Sequence, residues 1–161
     1  MLKLVDKEGN EVKPEYATAF SAGIDLYAAE KVIIYPKKKA LVGTGLYLKV
    51  DKDKITEDNF ICLDIRPRSG LAFKTDLTIP NAPGTIDLDY EGEIKVIIKG
   101  GAKTTVINVG DAIAQLVPVK IARLDNSLGK GEERKDGGFG STMNKSKPKP
   151  KPNNNNKKKG K

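Results

Sequence analysis

Hydrophobic and polar residues alternate along most of this chain in short runs that end at turn residues. Residues 31–35 run apolar up to Pro36, where the missing amide stops a strand from continuing. Residues 41–50 are β-rich and broken by Gly43 and Gly45. Residues 22–28, 60–65, 93–99, 104–109 and 114–121 repeat the pattern and predict further strands separated by turns. Residues 84–92 form a glycine-bounded acidic hairpin. Extended alternation there places Asp87 and Asp89 on one face, with Leu88 and Tyr90 on the other. Residues 69–74 alone read as a short helical turn, and no segment carries a sustained helical stripe. The expected class is all-β: a sandwich, jelly roll or barrel.

Length and composition narrow this further. A chain of 161 residues is long enough for one domain with its own core. Without tryptophan, that core is expected to be built from Ile, Val and Leu. The net charge of +8 is unevenly placed: 144–161 hold eight lysines and no acid, and the remainder holds 21 basic against 21 acidic residues. The basic character therefore belongs to the tail, and net charge implies no nucleic-acid-binding face on the body.

The chain has no histidine and one cysteine, Cys62. That excludes histidine-ligated metals, Ser-His-Asp triads and Cys-His pairs. Within the apolar run 60–65, Cys62 reads as a buried structural thiol, and a lone cysteine fits a reducing compartment. The first residues lack a signal-peptide core, and no apolar run is long enough to span a bilayer. A soluble cytoplasmic protein is expected.

At Asn144 the composition changes to lysine, proline and asparagine, as expected of a disordered extension. Three readings stand side by side: a nuclear-import signal, a basic arm for weak nucleic-acid contact, or a solubilising extension. The first and second leave the nucleus or a virus-infected host cell as alternative locations.

Five segments place polar residues next to glycine. Asp25 lies inside the apolar run 22–28, and Pro67-Arg68-Ser69-Gly70-Leu71-Ala72 joins a strand to the helical turn. The guanidinium, the hydroxyl and free amides there suit phosphate. Residues 81–96 hold Asn81 and the acidic hairpin, Gln115 follows the turn at Gly110, and 134–142 form a glycine-rich stretch with Arg134 and Phe139. Singly, Asp25 suits a turn cap, Gln115 a strand edge and the glycines a linker. Together they supply cations for phosphates, carboxylates for a hard cation and a base, and a ring for stacking. That is the equipment of a Mg²⁺-dependent nucleotide hydrolase that uses no histidine.

In order and wording, these segments resemble the five motifs of the homotrimeric dUTPase family over about residues 14–142. The most specific are the Pro67–Ala72 run, 84–92, and Gly137-Gly138-Phe139-Gly140-Ser141-Thr142. The resemblance implies a jelly-roll-like subunit of residues 1–133 in a homotrimer with shared sites. A flexible C-terminal lid, 134–143, and the basic tail, 144–161, would follow. It implies hydrolysis of dUTP to dUMP and pyrophosphate, keeping uracil out of DNA and supplying dUMP for thymidylate. Asp87 matches the general base that activates water for attack on the α-phosphorus. Tyr90 matches the ring against deoxyribose, and Asn81 with the hairpin backbone around Gly84 matches the uracil reader. Arg68, Ser69, Gly70 and Gln115 match phosphate-binding positions, and Asp25 matches the residue that holds Mg²⁺ through water. Arg134 matches a γ-phosphate clamp and Phe139 a lid over uracil, with Gly140, Ser141 and Thr142 closing on the phosphates.

Three positions depart from the usual pattern. Ala112 stands where arginine is common, Met143 where glycine is common, and Arg66 where a small residue is common, suited to pairing with a nearby acid. The related dCTP deaminases carry a catalytic glutamate where this chain has Ile97, which cannot move a proton. A regulator that sequesters a repressor, as phage relatives do, is the non-enzymatic alternative, with 52–59 and 100–103 as candidate contact loops.

Overall fold

A computed structural model of the chain describes residues 2–122. In chain order the strands are β1 (Leu2–Val5), β2 (Glu11–Val12), β3 (Ile24–Tyr27), β4 (Val32–Ile34), β5 (Lys39–Gly43) and β6 (Tyr47–Val50). They continue with β7 (Ile61–Arg66), β8 (Gly84–Ile86), β9 (Lys95–Lys99), β10 (Thr105–Ile107) and β11 (Ala112–Lys120). One helix, α1 (Ser69–Lys74), follows β7, and two 3₁₀ turns, Lys52–Lys54 and Glu57–Asn59, precede it.

The strands pair antiparallel in four sheets, ordered β2-β1-β6, β10-β4, β3-β11-β7-β8 and β5-β9. The sheets face one another across a single core and do not close into a barrel among the described residues. The core is aliphatic, as the composition required: Leu26, Ile34, Val42, Ile94, Val96, Ile98 and Ile113 are fully buried. Burying one such side chain contributes about 1.5–3 kcal/mol, so these seven anchor the sheets to one another.

The apolar run 41–50 divides where its glycines predicted. Gly45 takes φ +68 between β5 and β6, a left-handed turn that glycine enters without steric penalty. Two strands escaped the sequence reading, β1 and β2. β1 pairs with β6 from Leu2↔Val50 to Val5↔Tyr47, so it is fixed by a partner more than forty positions away. Its hairpin to β2 is held by Asp6, whose Oδ1 accepts from the amides of Glu8 (3.0 Å) and Asn10 (2.9 Å).

β11 carries a bulge. Ala112 faces Tyr27 and Ala114 faces Leu26, so Ile113 is an extra residue on the β11 side. Ile113 and Ala114 are both buried, and Gln115 then turns outward.

Candidate active site

The outward face of the four-stranded sheet carries the first group of polar residues. Ile24, Leu26, Ile65 and Leu116 are buried in the core, so alternation turns Asp25, Arg66 and Gln115 the other way. Gln115 lies directly opposite Asp25 on one side and Arg66 on the other. The three form one row across β3, β11 and β7.

Arg68 closes over this row. Its Nε donates to Asp25 Oδ1 at 2.9 Å and its Nη1 donates to the Ala112 carbonyl at 3.3 Å. The Asp25 and Arg68 side chains are only 22% and 32% exposed, so the pair is shielded from bulk water and stronger than a surface ion pair. A guanidinium has five N–H donors, and donors remain for a ligand beyond these two contacts. Ser69 and Gly70 open α1 beside it, both exposed. A Cβ at Gly70 would meet nothing within 4 Å, so a ligand can approach this backbone closely.

Arg66 pairs with an acid, as its position suggested, and that acid is Asp64. Arg66 Nη2 donates to Asp64 Oδ2 at 3.0 Å, and Cys62 Sγ donates to Asp64 Oδ1 at 3.7 Å. Asp64 is the charged residue that is buried among the described residues, and the sequence reading did not single it out. The signal was present in the strand period: 62, 64 and 66 share one face of β7. Burial pushes the Cys62 thiol above its ordinary range, and the charges of Asp64 and Asp87 push it the same way. Cys62 is therefore a buried, protonated structural thiol.

The second group follows β8. Residues 87–90 are not extended, contrary to the alternation expected there. Leu88 and Asp89 occupy a turn closed by the Tyr90 amide donating to the Asp87 carbonyl at 3.1 Å. A bond from residue i+3 back to i reverses the chain, so the two aspartates do not share a strand face. Tyr90 is buried, its hydroxyl donates to the Glu93 carbonyl at 3.0 Å, and its ring covers Gly92. A Cβ on Gly92 would lie 2.5 Å from the tyrosine oxygen. Asn81 packs in the same way over Gly84, where a Cβ would lie 2.9 Å from Nδ2. The Ala82–Pro83 peptide between them is cis.

β3 and β8 are opposite edges of their sheet. Asp25 and the hairpin after β8 are thus three strand spacings apart, about 14 Å. Arg134, Phe139, Gly140, Ser141 and Thr142, together with the lid and tail segments, lie outside the described residues.

Among the described residues no group of three or more metal-ligating side chains converges. Asp25 offers one carboxylate beside Arg68 and Gln115. This donor set fits a hard cation that brings most of its oxygen ligands from phosphate and water, since magnesium retains several waters in protein sites.

The chain is similar to known proteins over most of its length. The dUTPase family model matches residues 10–143. The deoxyuridine 5'-triphosphate nucleotidohydrolase of Wolinella succinogenes is 45% identical over 145 residues, covering 88% of this chain and 93% of the relative. That of Hydrogenobaculum is 40% identical over 148 residues, covering 88% and 98%. Among solved structures, a dUTPase from phage phi11 of S. aureus, described for its coordination of a structural Mg(II) ion, aligns with TM-score 0.65 and 26% identity. It covers 83% of this chain and 99% of that one. The family match spans the sheet row, the Pro67–Ala72 corner and the acidic hairpin, and on it the chain belongs to the dUTPase family.

Proposed function

We propose that this chain is a dUTP diphosphatase that hydrolyses dUTP to dUMP and pyrophosphate. The observation that carries the reading is the Arg68–Asp25 pair lying over Gln115 within a chain of this family. It places cationic and amide donors next to a carboxylate, as a magnesium-bound triphosphate requires. Arg68, Ser69, the Gly70 amide and Gln115 bind the phosphate oxygens, and Asp25 holds Mg²⁺ through water. When bound there, Mg²⁺ would supply Lewis-acid withdrawal of electron density from the phosphate oxygens.

Asp87 is the general base. Its carboxylate orients a water, takes one of its protons and leaves the oxygen to attack the α-phosphorus, with pyrophosphate departing. Asn81, seated over Gly84, reads uracil with the hairpin backbone. A mismatched base leaves buried donors unpaired there, at about 1–3 kcal/mol each. Tyr90, fixed by its hydroxyl bond, is the wall against deoxyribose. Arg134, Phe139, Gly140, Ser141 and Thr142 form the lid that excludes water on closure.

We infer that the working unit is a homotrimer whose sites are shared between chains. α1 has no buried residue, and Phe73 and Phe20 are 92% and 99% exposed. Large apolar side chains left in water mark an interface. The separation of Asp25 from the hairpin across the sheet also supports completion of each site by a neighbour. Cys62, free and buried, suits a reducing cytoplasm, and the basic tail adds weak nucleic-acid contact.

The test is pyrophosphate release in Mg²⁺ from dUTP, dCTP, dTTP and UTP. Release from dUTP alone supports the proposal. Tight dUTP binding without turnover would point to a regulator, and ammonia release from dCTP to a deaminase.

A further inference from the structure

The near neutrality of residues 1–143 conceals a concentration of charge at one end of the fold. The turn between β4 and β5 carries Lys37 and Lys38, Lys39 opens β5, and the turn after β9 carries Lys103. Backbone bonds join the two turns: the Lys37 amide donates to Gly101 O at 3.1 Å, and the Gly100 amide donates to Lys38 O at 2.8 Å. Lys99, the last residue of β9, lies directly opposite Lys39. All five lysines are exposed, and none forms an ion pair among the described residues. Like charges directly opposite on adjacent strands are destabilising, so the fold bears this arrangement at a loss.

A second local rule is broken at the same place. The Lys38 amide donates to Tyr35 O at 3.1 Å, with Pro36 and Lys37 between them. Lys37 has φ 59, the positive φ recorded for a non-glycine residue among the described residues. Proline followed by a positive φ is the type II turn, in which the third position calls for glycine or asparagine. A lysine there costs on the order of 1 kcal/mol. Beside it, Tyr35 stands 59% exposed. Strain and like-charge repulsion at one spot are expected where function requires them.

We propose that this end of the molecule is a binding surface for single-stranded nucleic acid, separate from the nucleotide site. The five ammonium groups take the sugar-phosphate backbone and the exposed Tyr35 ring stacks on a base, the combination that sequence-independent strand binders use. The surface does not depend on the proposed hydrolysis, and it lies in the body rather than in the tail.

The test uses full-length protein with the eight tail lysines replaced by glutamine, so that the tail does not mask the body. Fluorescence anisotropy with labelled oligo(dT) across a salt series should give a log-log slope of about −3.5, from roughly 0.7 per neutralised phosphate. Lys39→Gln with Lys99→Gln should flatten it by about 1.4. Tyr35→Ala should weaken binding about tenfold. Lys37→Gly should weaken binding while raising the unfolding midpoint, which separates lost charge from lost folding. Turnover of dUTP, measured in parallel, should be unchanged in all three variants. Unchanged affinity and slope in the double-lysine variant would overturn the proposal, as would equally tight binding of duplex DNA or poly-glutamate.

Discussion

Arg68 reaches from the corner before α1 to Asp25 on the edge strand β3, Nε to Oδ1 at 2.9 Å. One contact thus ties together two positions 43 residues apart and fixes a guanidinium beside the Gln115 row. Lysine would keep the charge but not the planar fork that holds Asp25 and Ala112 O while donating outward. Arg68→Lys is expected to lower kcat/KM for dUTP by about 10–100-fold, from the 1.5–3 kcal/mol of a charged hydrogen bond. Steady-state pyrophosphate release measures it.

Asp87→Asn keeps the shape of the side chain and removes the proposed base. Turnover should fall by about 10²–10⁴-fold while calorimetric dUTP affinity changes little. Comparable loss of both would place Asp87 in binding rather than in proton transfer.

Gly23 and Gly70 make an internal control. A Cβ at Gly23 would lie 2.5 Å from Leu116 O and 2.7 Å from Val117 Cγ2, whereas one at Gly70 would meet nothing. Gly23→Ala should therefore destabilise the fold by about 1–3 kcal/mol through overpacking. Gly70→Ala should leave denaturant unfolding within about 0.5 kcal/mol of the parent and show its effect in dUTP affinity.

The Cys62 thiol predicts a pH dependence. Its folded pKa is raised, chiefly by burial and further by Asp64 and Asp87. For an acid held neutral in the fold, stability is constant below the unfolded pKa and declines as pH rises past it, because only the unfolded chain ionises freely. Thiol labelling at pH 8 should be slow in native protein and fast in urea. Cys62→Ser should flatten the alkaline decline in unfolding free energy.

Strand positions were readable where the side-chain period was clean. Lys95–Lys99 falls within its predicted run and Ile61–Arg66 overruns the predicted 60–65 by one residue, because the inward residues of each meet the aliphatic core. β1 was not readable, because four residues near the terminus become a strand only through a distant partner. The hairpin was misread for a different reason. Its alternating residues satisfy the strand period equally well, but the bond from Tyr90 to Asp87 takes them into a turn. In the site, motif order singled out Asp25 and Arg68 but not the ion pair between them, while Asp64 looked like an ordinary strand residue until its neighbours buried it.

The bulge at Ile113 makes the chemistry of β11 a matter of parity. With Ile113 unmatched, Gln115 faces Asp25. Were Ile113 instead paired with Leu26 in an unbroken ladder, Gln115 would come opposite Ile24, pointing into the aliphatic interior, with Leu116 turned to the outside. The strand would still pair along its length, yet its polar and apolar faces would have traded places. The unmatched Ile113, itself buried in the core, thus decides which face of β11 carries Gln115.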